Sequence, residues 1–158
     1  MSLRIFLHGL EGSNLGTKSV FFRDRYPDMI IPNFTGNLWE RMKDLGEILS
    51  GRSGISLVGS SFGGLMAALF ALENESRVDR LILLAPALNL AGFSTCQQRD
   101  ISVPVRVYHG RNDEVIPLNA VECVARKSFL NLSFHVVDDD HSLHKTFKSI
   151  DWDTLLLP

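Results

Sequence analysis

A chain of 158 residues has room for one domain and one sizeable core, and its 45% apolar and 22% charged residues are the proportions of an ordinary globular protein. A formal net charge of −2, with arginine and lysine scattered along the chain, offers no basic stripe for a nucleic acid. The longest apolar stretch, Leu65 to Leu72, is far below the roughly 20 residues of a membrane span, the first residues lack a secretory signal core, and Cys96 and Cys123 are too few for a disulfide framework. These features predict a cytoplasmic protein with reduced thiols and no membrane partner.

Short apolar runs alternate with helix-like stretches from the N-terminus onward. Leu3 to His8 is the first predicted strand, and Thr17 to Tyr26 the first helix. Asp28 to Pro32 follows as a second strand. Leu38 to Leu49 is an amphipathic helix, with Leu38, Met42, Leu45 and Leu49 on one stripe and Glu40, Lys43, Asp44 and Glu47 outside it. Ile55 to Gly59 is the third strand. The helix from Phe62 to Glu73 is small and apolar nearly all round and should lie buried against a sheet. Arg80 to Ala85 and Val103 to His109 are the next strands. Pro117 opens a helix reaching about Arg126, where its missing N–H costs nothing. Leu132 to Asp138 is the sixth strand, and His141 to Ile150 the last helix.

Strands that are aliphatic along their whole length suit a parallel sheet buried on both faces. The alternation of strand and helix predicts a doubly wound α/β sheet with right-handed crossovers. Ligands of such sheets bind beyond the carboxyl ends of the strands, so chemistry belongs in the loops that follow them.

One such loop, Gly59–Ser60–Ser61–Phe62–Gly63, fits G-x-S-x-G between a strand and a helix. A sharp strand-to-helix turn strains the backbone at its central serine, and the residues two away on each side must then be small. The turn exposes the Ser61 hydroxyl above a helix N-terminus. The alternative is a glycine-rich turn with a capping serine. Ser60 should point back toward the neighbouring strands and pack there. A serine hydroxyl becomes a nucleophile only when a base takes its proton. Of His8, His109, His135, His141 and His144, His141 follows the last strand and is the expected base, with His144 as its rival. His8 is expected to shape its loop by hydrogen bonding, and His109 to lie near the site without acting in it. Asp113, in the turn Gly110–Arg111–Asn112–Asp113, is the expected acid that orients the base. Its alternative is a turn and capping role. Asp138, Asp139 and Asp140 read as a solvated loop. The order Ser61, Asp113, His141 is an independent check, because the search for the serine motif did not use it. The oxyanion is expected to meet the backbone N–H of Phe62 and that of Leu10, with Glu11 next. Leu88, Phe93 and Val115 are candidate pocket residues. No Cys/His cluster has metal-ligand spacing, so no metal or other cofactor is expected.

In this combination, His8–Gly9, the Gly59–Gly64 turn, Asn112–Asp113–Glu114–Val115–Ile116–Pro117 and His141 resemble the landmarks of the α/β-hydrolase superfamily. The length and the Gly-Ser-Ser-x-Gly-Gly turn look most like the small lidless bacterial esterases of the YqiA type. The resemblance implies a single domain over residues 1–158, hydrolysis of a small ester or thioester substrate, no cofactor, and a triad of Ser61, Asp113 and His141. It implies a three-layer sandwich reduced to about six parallel strands in the order 2-1-3-4-5-6, without the usual leading antiparallel hairpin. Pro86 to Asp100 is too short for a cap domain, so an open site suited to short acyl groups is expected. Two other classes stay open. Gly12 to Ser19 looks like a phosphate-binding loop, although Thr17 precedes Lys18 where glycine is needed. A non-catalytic binding protein on a hydrolase scaffold is the other. A peptidase would use the same three side chains.

Overall fold

The computed structural model describes residues 2–90, 93 and 100–158. Five parallel strands form its sheet: β1 (Leu3–Leu7), β2 (Ile55–Ser60), β3 (Val78–Leu84), β4 (Val105–Gly110) and β5 (Leu132–Val137). Their order in space is β1-β2-β3-β4-β5. The helices are α1 (Thr17–Arg25), α2 (Leu38–Ile48), α3 (Phe62–Glu73), α4 (Leu118–Ser128) and α5 (Trp152–Leu156).

The strand expected at Asp28 to Pro32 is reduced to one rung. Ile30 bridges to Ile5 at the free edge of β1, with Phe6 N–H donating to Ile30 O at 3.0 Å and Ile30 N–H to Arg4 O at 2.9 Å. Pro27 and Pro32 bracket the segment, and a proline has no N–H to extend a ladder. The sheet therefore has five strands rather than six. The bridging segment stands where the second strand was expected, beyond β1.

Side chains alternate between two cores, one on each face of the sheet. Ile5, Leu7, Leu57, Leu81, Leu83, Val105 and Val107 face α2, α3 and α4, which add Leu45, Leu65, Met66, Val121 and Ala125. Phe6, Val58, Ile82 and Leu84 face the other way, toward Phe22 of α1, Tyr26 just after it, and Trp152, Leu155 and Leu156 of α5. This is a three-layer sandwich. The chain passes from one face to the other through the Ile30 bridge, between α1 and α2.

The helix expected over 141–150 is replaced by turns and a single 3-10 turn, Phe147–Ser149. The cause is local. Asp139 takes the N–H groups of Asp140, Lys145 and Thr146 at 2.8 to 2.9 Å, and Leu143 has φ +53°. Side-chain acceptors thus hold donors that a helix would have used. Asp139 is itself buried, not solvated as the sequence suggested. Burial acts to raise the pKa of its carboxyl, and the surrounding donors outweigh that and leave it lowered.

Candidate active site

β2 ends at Ser60, and Ser61 turns the chain with φ +55° and ψ −115° before α3 begins at Phe62. That conformation is costly for any residue with a side chain. Tight packing holds it. A Cβ on Gly59 would stand 2.4 Å from the Gly63 carbonyl oxygen, and one on Gly63 would stand 2.0 Å from that of Leu7. Ser61 N–H donates to Leu84 O at 2.8 Å, and Ser61 O accepts from Gly64 and Ala87 N–H at 3.0 Å each.

The Ser61 hydroxyl does not cap α3. Its Oγ lies 3.0 Å from Nε2 of His141, and Nδ1 of His141 lies 2.7 Å from Oδ2 of Asp113. An ionised carboxylate only accepts, so the proton of a neutral His141 belongs on Nδ1 and the Nε2 lone pair faces the serine. Asp113 also serves its turn: Oδ1 accepts from Val115 and Ile116 N–H at 2.8 Å each. The two roles weighed for this residue in the sequence use different oxygens of one carboxylate. The Asp113 side chain is wholly buried, whereas that of His141 reaches solvent.

A second histidine touches the same carboxylate. Nε2 of His109, at the end of β4, lies 2.9 Å from Ile116 O and 3.2 Å from Asp113 Oδ2. Two acceptors face that nitrogen, so it carries the proton. Nδ1 of His109 is buried without a partner among the described residues, which suits a bare lone pair. Burial, first of all, lowers the pKa of His109 and so favours the neutral ring. The sequence reading placed this residue near the site without a task. The signal available was a histidine four residues before Asp113 in an apolar strand.

The loop after β1 has its own supports. Nε2 of His8 accepts from Phe34 N–H at 2.8 Å, so Nδ1 carries the proton and donates it to Gly9 O at 2.7 Å. Gly12 N–H donates to the same oxygen at 3.1 Å. The peptide is trans, so anchoring the Gly9 carbonyl aims the Leu10 N–H the opposite way. Neither Leu10 N–H nor Phe62 N–H donates to an acceptor among the described residues. Arg41 of α2, overlooked in the amphipathic reading, is buried beneath this loop. It donates to Gly36 O at 2.8 Å and Leu10 O at 3.4 Å, and its guanidinium lies 5.4 Å from the Phe62 ring centroid.

A cavity of about 630 Å³ opens over these groups, lined by Leu10, Phe62, Ser61, His141, Leu90, Val115 and residues of α1. Val115 and Leu10 stand 64% and 51% exposed at its rim. Ser60 also lines it, rather than turning only toward neighbouring strands. Leu88 and Phe93 do not line it. Both are buried in the core on the α3 face, where Phe93 packs on Phe129 at 5.9 Å. Their apolar character, read as pocket lining, belongs to that core. His144 is exposed, and its Nδ1 is engaged by Asp140 Oδ2 at 2.7 Å. Among the described residues no group of three side chains could hold a metal ion. The Pro86 to Asp100 segment lies largely outside the described residues, as does Cys96, and Cys123 is an exposed thiol.

Neither a scan against protein-family models nor a search of curated proteins returned a match. Solved structures do resemble the chain. Est1E from Butyrivibrio proteoclasticus, solved with ferulic acid bound, superposes with a TM-score of 0.76 at 15% identity, over 95% of this chain and 85% of Est1E. Alpha/beta hydrolase domain-containing protein 10 from mouse gives 0.71 at 18% identity, over 88% and 81% of the two chains. An alpha-beta serine hydrolase homologue from Coxiella burnetii gives 0.70 at 19% identity, over 89% and 77%. The likeness is one of fold: a five-stranded, reduced version of the α/β-hydrolase architecture.

Proposed function

We propose that this chain is a serine hydrolase that cleaves small carboxylic esters or thioesters through an acyl-enzyme on Ser61. The observation that carries the reading is the unbroken run from Ser61 Oγ through His141 to Asp113 at the floor of an open cavity. Ser61 Oγ attacks the carbonyl carbon while Nε2 of His141 takes its proton, and the carbonyl electron pair moves onto oxygen. Leu10 and Phe62 N–H receive that oxyanion. Asp113 keeps the His141 ring in its tautomer and stabilises the imidazolium. Collapse of the intermediate breaks the bond to the leaving alkoxide or thiolate, which takes the proton from His141. Water then repeats the cycle on the acyl-enzyme and frees the acid.

The small lidless form, a subtype resembling the YqiA esterases, suits acetyl or butyryl groups better than long acyl chains. A neutral fluorophosphonate probe tests the reading together with a panel of p-nitrophenyl esters and acyl-CoA thioesters. Ser61 should be labelled, and at least one class should be turned over. Ser61→Ala and His141→Ala should each lower kcat by about 10⁴-fold or more, with Asp113→Ala somewhat less severe. A folded wild-type protein that neither labels nor hydrolyses any of these compounds overturns it. That outcome would leave a binding protein on a hydrolase scaffold.

A further inference from the structure

The cavity wall contributed by α1 carries a charge that the acyl-transfer steps do not use. Lys18 sits in the first turn of that helix and lines the cavity. Its Nζ donates to the carbonyl of Ser142, the residue after His141, at 2.7 Å, and lies 5.4 Å from the Phe147 ring centroid. Burial lowers its pKa, with partial compensation from Asp140 and Asp139. Those carboxylates are occupied elsewhere: Asp139 by three backbone N–H groups, and Asp140 by His144. Lys18 forms no ion pair among the described residues. Glu11, the carboxylate among the lining residues, is exposed and makes none with it.

An ammonium has three N–H donors, and one of these is used here. A cation partly stripped of water beside a cavity gains most from an anion that enters the cavity. The remainder of the lining is largely carbon, including Phe62, Leu90, Val115 and Ile116. Lys18 is hydrogen-bonded to the residue next to His141, and His141 delivers the proton to the leaving group. The charge therefore stands on the leaving-group side of the reacting carbon.

The geometry points to Lys18 as the specificity determinant for an ester or thioester whose alcohol or thiol half carries an anionic group, a carboxylate or a phosphate. This rests on the serine-hydrolase reading. Lys148, the other lysine of the lining, is exposed, whereas Lys18 is half-buried and held on Ser142 O beside the reacting groups, so the substrate has an uncharged acyl half and a charged leaving half.

The test compares kcat/KM for 4-butyryloxybenzoate and for its methyl ester, in wild type, Lys18→Met and Lys18→Arg. Methionine keeps the apolar stem and removes the charge; arginine keeps a charge. The anionic-to-neutral ratio should fall about tenfold in Lys18→Met and return toward the wild-type value in Lys18→Arg. A third ester, 4-butyryloxyphenyl phosphate, identifies by its larger or smaller dependence on Lys18 which anion fits better. A ratio within threefold of wild type in Lys18→Met overturns the assignment, because it leaves Lys18 only as a tether for the His141 loop. Fluorophosphonate labelling of Ser61 separates the two ways of failing. If Ser61 labels and the ratio stays, the assignment of Lys18 is wrong and the hydrolase stands. If Ser61 never labels and neither ester is cleaved, the hydrolase reading has failed and this one with it.

Discussion

At the scale of single residues, the carboxylate of Asp113 is held on both of its oxygens. Three donors bond to it, two backbone N–H groups on one oxygen and His141 on the other, and the His109 ring lies 3.2 Å from that second oxygen while its N–H is held by Ile116 O. A buried carboxylate so fully satisfied has no room to rotate, and the His141 ring inherits that rigidity. Replacing His109 with phenylalanine removes, at similar volume, the N–H that holds Ile116 O beside the Asp113 carboxylate. Such a bond is worth about 0.5–1.5 kcal/mol and it steadies the turn that holds Asp113, so kcat/KM should fall by roughly fivefold. His109→Gln, which keeps a side-chain N–H, should recover much of the loss. Steady-state kinetics of the two variants on one neutral ester, with circular dichroism to establish folding, checks this. Equal losses in both would reduce His109 to a packing residue.

The residues proposed to carry the chemistry were legible because a nucleophile, an acid and a base are constrained twice, by type and by order along the chain. Ser61, Asp113 and His141 stand in separate loops, and the structure brings their side chains into one hydrogen-bonded run. His109 and Arg41 were not legible in the same way. Each sits in an element whose pattern reads as ordinary, and each acts through another residue. Leu88 and Phe93 failed for the opposite reason, since apolar residues near a strand end serve a core as readily as a pocket.

At the scale of elements, α3 was read to the residue, because an apolar helix after a glycine turn has few other possibilities. The elements that departed from expectation are those where side chains or prolines override periodicity. Pro27 and Pro32 cut one strand to a bridge, and Asp139 unwinds the expected last helix. Asp139 deserves a direct measurement. Asp139→Ala leaves three N–H groups without their acceptor in the loop that carries His141. Urea unfolding should show a loss of about 1–3 kcal/mol per group left buried and unpaired. Turnover should fall at the same time, because His141 is two residues away.

At the scale of the whole molecule, three histidines should make stability fall first as the pH drops below neutrality. His8, His109 and His135 all have pKa values lowered from 6.5, and burial is the largest cause in each. Between the folded and unfolded values the unfolded chain binds more protons, so stability rises with pH there. The contribution is complete above 6.5 and is lost as the pH falls below that value and through the folded pKa values. Asp139, lowered from 3.8, adds a further loss at more acid pH. Thermal unfolding between pH 8 and pH 4 should show a Tm that is level at first and declines below about 6.5. A Tm that climbs on acidification would contradict this.

The packing of α1 has a consequence for the order in which the chain assembles. Nine residues are too few to hold a helix in water alone. The inner face of this one rests on the sheet and on residues 124 or more positions further along the chain. Phe22 meets Trp152 with ring centroids 4.9 Å apart, Arg25 pairs with Asp153 at 2.5 Å, and Lys18 reaches Ser142. The helix is therefore synthesised well before the residues it rests on, and the charged wall of the cavity matures only once the 142–153 segment has docked.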